Sequence, residues 1–270
     1  MDTVSGRLAL SALEPVLVKR DGPIASVVLN NPEDRNVLAA AAWHRLGEAM
    51  RGLAADAAVR CIVLRGAGGR DFSLGADVTE FAVQRANSGQ ARSYAALVRT
   101  ALQSVAACPH PTLAQIQGAC EAEALALAAV CDMRICSASS TFTLPASRLG
   151  ATLDAAELAA VLALAGQAAT LEMLLEGRPL SASEAYRKRL VSRVVADANI
   201  ETEVQATAAR IAAGAPLVAR WNKQFVARLS IATELGDTEP DDAFACFDSE
   251  DYRIGVDAAV SNSRPRFNGR

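Results

Sequence analysis

Side chains able to move a proton or attack a carbon are sparse in this sequence. Histidine occurs only as His44 and His110, and neither has a cysteine or second histidine at metal-ligand spacing. Six cysteines, at 61, 108, 120, 131, 136 and 246, form no C-x-x-C pair, so no metal site is expected. Carboxylates stand at the margins of apolar segments as Glu121, Glu123 and Asp154. Glu121 and Glu123 sit at the start of an Ala-rich helical run. There the positive end of the helix favours a carboxylate and lowers its pKa. A lowered pKa makes a weaker base, so charge compensation is the simpler role. Asp154-Ala-Ala-Glu157 has capping-box spacing just before a helix. An N-cap aspartate contributes about 1 kcal/mol with no chemistry at all. His44 reads as a surface or half-buried side chain, His110 as a loop residue. Cys120 reads as a small hydrophobe with no His or Lys nearby to activate it.

These groups need a scaffold. Two β-rich runs within 16–30 flank Asp21-Gly22-Pro23, a hairpin signal. Residues 38–54 carry apolar side chains at helical spacing. Cys61 to Gly66 is an unalternated apolar run, suited to a sheet covered on both faces. Residues 67–80 are Gly-rich, and 82–107 read as a mobile polar stretch followed by a helix. Strands are expected at 111–118, 133–139, 141–144 and 190–195. Helices are expected at 121–131, 154–165, 167–176 and from 183, and most of the chain beyond 200 reads as helical. Alternation followed by helices alone predicts an α/β core with a helical C-terminal extension. The expected divisions are a loose tail over 1–14, a core over 15–199 and a helical region over 200–270.

The chain has 270 residues, 51% hydrophobic and 21% charged, which excludes a disordered protein. Basic residues number 27 against 30 acidic, and aromatics are 4%, so nucleic acid is not an expected partner. The N-terminus lacks a basic region followed by a long apolar one. The most apolar stretch, 155–165, is interrupted by Glu157 and is short for a bilayer. A cytoplasmic chain with reduced cysteines and no membrane partner is the expectation.

Several segments together resemble the enoyl-CoA hydratase/isomerase (crotonase) superfamily. Residues 70–78, RDFSLGADV, are similar to its F-S-x-G-A-D-[ILV] loop. Residues 111–132, PTLAQIQGACEAEALALAAVCD, resemble its P-[VT]-[IL]-A-x-[VI]-x-G strand and the helix ending in C-D. Phe142-Thr143-Leu144-Pro145 with Leu149-Gly150 resembles F-x-x-P-E-x-x-L-G. VVLNNPEDRNVL near the start and SRPRFNGR at the end resemble its first strand and its R-P-x-F ending. The resemblance runs over about residues 15–270. It implies a core of stacked ββα turns, a spiral with two sheets, and a helical C-terminal trimerisation region. A homotrimer or homohexamer is therefore expected.

The resemblance also implies the chemistry. An acyl-CoA thioester carbonyl would sit between two backbone N–H groups that stabilise its enolate, with coenzyme A as part of the substrate and no separate cofactor. Such donors are worth about 3–4 kcal/mol each in rate terms. They fall on Ala76 and on Glu123, which takes the middle of three family glycines. Glu at a positive φ would be strained there by about 1–2 kcal/mol. Arg35, Val37, Ser73, Gly75, Asp77 and Val78 would contact CoA and substrate, Arg35 through a phosphate. The family's two hydratase glutamates fall on Ala126 and Ala146, neither of which can carry a proton. Asp154 stands where some branches place a catalytic aspartate and is the candidate base, with Glu121 or Glu123 as the alternative. The expected activity is of isomerase or lyase type. The alternatives are a binding protein without catalysis and a hydrolase using Asp154.

Overall fold

The computed structural model describes residues 14–231 and 244–270. The expected N-terminal tail, apart from Glu14, and residues 232–243 of the expected helical region lie outside the described residues. The elements begin with β1 (Val16–Asp21), β2 (Ile24–Leu29), α1 (Ala40–Ala54), β3 (Cys61–Gly66), α2 (Phe81–Gln84) and α3 (Ser88–Ala106). The middle of the chain supplies β4 (Thr112–Ile116), β5 (Ala119–Glu121), α4 (Glu123–Ala129), β6 (Met133–Ser137), β7 (Thr141–Thr143) and α5 (Ala146–Leu149). Then come α6 (Ala155–Glu176), β8 (Leu180–Ser181), α7 (Ala182–Arg187), β9 (Arg193–Val195), α8 (Ile200–Ala213), α9 (Pro216–Ile231) and α10 (Glu250–Ser261).

The strands build a six-stranded sheet in the order β1-β2-β3-β4-β6-β9 and a three-stranded sheet in the order β5-β7-β8. β1 and β2 pair antiparallel around the expected turn, and every later pairing in the larger sheet is parallel. The unalternated apolar run of β3 has the expected cause. Ile62 and Leu64 join the main core with Trp43, Leu46 and Met50 of α1 and Val98 and Leu102 of α3. Cys61 and Val63 face the other way, onto Ile200, Val204 and Ala208 of α8. The first helix after residue 200 is thus part of the sheet's cover. The two-residue β8 and the three-residue β5 were not legible as strands, being too short to show a period.

α6 extends further than the apolar stretch 155–165 suggested. Over Ala155–Glu176 it is long and apolar enough, by length and composition alone, to cross a membrane. Gly166 interrupts it at φ 74° and ψ 171°, a conformation open essentially only to glycine. The two helical pieces meet where the sequence places the break between 165 and 167.

Gly118 sets the approach between the smaller sheet and the loop at 70–77. It has φ 54°, and a Cβ there would lie 2.1 Å from the Arg70 carbonyl and 2.7 Å from Asp71 Oδ1. Only glycine lets these two backbones come this close.

Candidate active site

Asp71 anchors the Gly-rich loop. Its side chain is almost completely buried, and it accepts from Arg35 Nε at 2.9 Å, Arg35 Nη2 at 3.0 Å and the Ala119 N–H at 2.9 Å. The Arg35 guanidinium holds this carboxyl below its ordinary range, against the opposing effect of burial. Leu38 pins the loop from the other side. Its N–H donates to the Gly75 carbonyl at 2.8 Å, and its carbonyl accepts from the Asp77 N–H at 3.2 Å. The segment 35–38 and the loop 73–78 therefore form one wall.

Two clefts run along that wall. The outer, of about 420 Å³, is lined by Arg35, Val37, Asp77 and Val78, together with Glu33 and Asp34. The inner, of about 330 Å³, shares Val37, Leu74 and Val78 with the outer and continues past Ala76 to Phe81, Glu121 and Glu123. Arg35 lines the outer cleft, and two of its nitrogens are committed to Asp71. Asp77 caps the short turn that follows, accepting from the Thr79 N–H at 2.9 Å. The expectation for Ser73 needs correction. The residue is fully buried and its hydroxyl accepts from the Gly75 N–H at 3.0 Å, so it shapes the turn and does not reach the cleft.

Ala76 lines the inner cleft, and its N–H donates to Glu123 Oε2 at 3.0 Å. The other oxygen, Oε1, accepts from Arg85 Nη2 at 2.6 Å. Arg85 in turn lies over the rings of Phe81 and Tyr94, with its guanidinium carbon 4.3 and 4.2 Å from their centroids. Glu123 opens α4 and is 5% exposed, so this carboxylate is enclosed by the site and is not a solvated end-of-helix charge. The strain expected at Glu123 falls one residue earlier, on Ala122, at φ 49° and ψ −125°. Gly75, at φ 89°, leaves just enough room, since a Cβ there would lie 2.9 Å from Glu123 Oε2.

Two further carboxyls flank this arrangement. Glu121 lines the inner cleft, and among the described residues no hydrogen bond reaches its carboxylate. Burial raises its pKa, against the pull of Arg35 and Arg148. Glu157 is buried, and its pKa is pushed up to about 7, first by burial and then by the neighbouring Glu123 charge. Glu157 also accepts from the Asp154 N–H at 3.0 Å, completing the capping box.

Asp154 occupies the N-cap of α6. Its carboxylate accepts from the Ala156 N–H at 3.0 Å and from Arg99 Nη2 at 2.9 Å. Burial acts to raise its pKa, but the Arg99 and backbone hydrogen bonds outweigh burial and lower it. It is not among the residues lining either cleft. Ala126 is buried in α4 and Ala146 is the first residue of α5. His44 projects into solvent, His110 is buried beneath Arg220 and Lys223, and Cys120 is fully buried with its thiol pKa pushed well up.

Sequence reasoning missed Arg85 and the internal contacts of Asp71 and Glu157. Arg85 falls in the polar stretch 82–107, where no period announces an inward charge. Its position after Phe81, in a segment with Tyr94 nearby, was the only available signal.

Residues 19–270 match the sequence model of a family described as Enoyl-CoA hydratase/isomerase. Crotonyl-CoA hydratase of Syntrophomonas wolfei subsp. wolfei is 26% identical over 259 residues, covering 95% of this chain and 98% of that protein. A crystal structure described as an enoyl-CoA hydratase/carnithine racemase from Magnetospirillum magneticum matches with a TM-score of 0.93 at 42% identity, over 96% of this chain and 97% of that one. The enoyl-CoA hydratase of Bacillus anthracis matches with a TM-score of 0.87 at 25% identity, over 95% of this chain and all 100% of that one.

Proposed function

Because the chain belongs to the enoyl-CoA hydratase/isomerase family, we propose that it binds an acyl-CoA thioester along the joined clefts and stabilises its enolate. The acyl-CoA part of this reading is supported by relatives whose names specify crotonyl-CoA or enoyl-CoA. The observation that carries the rest is Ala76 in the lining of the inner cleft, its N–H meeting, among the described residues, only the side chain of Glu123, with alanine at both 126 and 146. Donors of this kind stabilise an enolate oxygen, and on the resemblance the two positions that would carry the acid–base pair for adding water hold alanine. The activity proposed is therefore proton transfer or bond cleavage through an enolate, of isomerase or lyase type. Asp154 has less support as the base than Glu121 and Glu123, because those two line the inner cleft while Asp154 lines neither cleft and its pKa is lowered. A reducing, cytoplasmic setting is part of the proposal, in keeping with the buried thiols of Cys61, Cys108, Cys120, Cys131 and Cys136.

Two measurements test it. Calorimetry with butyryl-CoA should show binding, and a 3-enoyl-CoA in D₂O should take up deuterium at its α-carbon. Crotonyl-CoA hydration should stay well below the enzyme median of about 10 s⁻¹. Fast hydration would overturn the isomerase or lyase reading. Binding without deuterium uptake would favour a second reading, a binding protein without catalysis, for which the Glu123 carboxylate on the Ala76 N–H already speaks.

A further inference from the structure

A thioester carbonyl cannot use the Ala76 N–H while Glu123 Oε2 accepts from it at 3.0 Å. One amide hydrogen makes one good hydrogen bond, and a carbonyl oxygen placed beside a carboxylate would be repelled. The Glu123 carboxylate must therefore leave the hole for substrate to enter. Its two contacts are unequal. Oε2 is held by a neutral amide, Oε1 by the Arg85 guanidinium at 2.6 Å, and charge-assisted hydrogen bonds are roughly twice as strong as neutral ones. Arg85 is itself fixed between the rings of Phe81 and Tyr94. The contact that yields is the one to Ala76, and the carboxylate turns about Arg85. It then stands next to the spot it has vacated. The α-carbon is two bonds from the thioester oxygen, so a substrate with its oxygen in that spot would bring the α-carbon near the displaced carboxylate.

We propose that Glu123 is both the stopper of this oxyanion hole and the general base that enolises the bound thioester. The proposal rests on the acyl-CoA reading above. In the step, a proton passes from the acyl α-carbon to Glu123 Oε2. The C–H electron pair becomes the carbon–carbon double bond of the enolate, and the carbonyl pair moves onto the oxygen held by the Ala76 N–H. Exchange of the proton on the Glu123 carboxyl with solvent, followed by delivery to the α-carbon, gives α-exchange, and delivery to the γ-carbon of a 3-enoyl group gives isomerisation. No oxidant or second reactant is needed.

The two roles have opposite signatures in one variant. Glu123→Gly removes stopper and base together. Butyryl-CoA should bind at least about tenfold tighter than to the wild type by calorimetry, while α-deuterium exchange of a 3-enoyl-CoA should fall by about 10²–10⁴-fold. Glu123→Gln keeps an oxygen for the Ala76 N–H but takes no proton. It should bind butyryl-CoA within a few-fold of the wild type and lose exchange to the same extent, and it serves if the glycine variant fails to fold. Unchanged or looser binding by Glu123→Gly overturns the stopper. Exchange that survives in either variant overturns the base. Wild-type protein that binds no acyl-CoA would instead remove the acyl-CoA reading, and this proposal with it.

Discussion

The Asp154 carboxylate is divided between the Ala156 N–H, at 3.0 Å, and Arg99 Nη2, at 2.9 Å, so it joins the start of α6 to α3. Asp154→Asn keeps an oxygen for the amide and loses only a partly exposed ion pair, worth at most about 1 kcal/mol. Asp154→Ala loses the cap and should cost about 1 kcal/mol of stability in urea unfolding. Neither change should reduce α-deuterium exchange. A loss of about 10²-fold or more in the asparagine variant would return the base to Asp154.

Glu157 makes stability fall as pH rises. Unfolded, it ionises near about 4.3; folded, near about 7. Between those values the folded state holds a proton that the unfolded state lacks, so raising the pH favours unfolding. The loss is on the order of 4 kcal/mol across that window. Glu157→Gln keeps an acceptor for the Asp154 N–H and should flatten the dependence. Urea midpoints at pH 5 and pH 8 measure it, and a wild type no less stable at pH 8 relative to the glutamine variant would contradict the assignment.

Arg85 and Glu123 should be strongly coupled. Arg85→Met alone leaves a carboxylate buried without its cation and should cost about 3–5 kcal/mol. In the double variant Arg85→Met, Glu123→Gln the penalty should be clearly less than the sum of the two single changes. A double-mutant cycle read by urea unfolding gives the coupling, expected at about 2–3 kcal/mol. Additive effects would mean that the pair is not formed in solution.

Much of the scaffold was legible because its signals are local. The β1–β2 hairpin followed from Asp21-Gly22-Pro23 and the break in α6 from Gly166, each a residue with a conformational preference of its own. Asp154 and Glu157 were legible as a capping box because that device needs only a spacing. What could not be read was which side chains fill the site. Three small residues expected at 122–124 leave a space, but nothing local says that Glu123 folds back into it or that Arg85, 38 residues earlier, holds it there. Such contacts depend on how α2, α3 and α4 meet, and no periodicity encodes that. The inward turn of Ser73 was lost for the same reason.

Assembly is expected from the C-terminal helices. Val226 and Leu229 of α9 and Val260 of α10 are 67%, 55% and 85% exposed, and Phe247 packs edge-on against Tyr252 at the surface. Apolar side chains this open are commonly covered by another copy of the chain. Light scattering should give the mass of a trimer or hexamer, and a monomer alone would refute it.

Ala122 sets how much mutational damage the domain can absorb. Its φ of 49° and ψ of −125° are held against a penalty of about 1–3 kcal/mol. Total stability for domains is only about 5–15 kcal/mol, and one or two of these change the folded-to-unfolded ratio by a factor of about 5–30. Replacing Ala122 with glycine relieves the strain where the helix of the site begins, and should raise the urea midpoint without touching Glu123 or Arg85. The relaxed protein would then tolerate changes elsewhere that the parent does not, such as Arg85→Met. A library built on the glycine background should keep more folded members than one built on alanine, so this one dihedral governs how freely the sequence can drift.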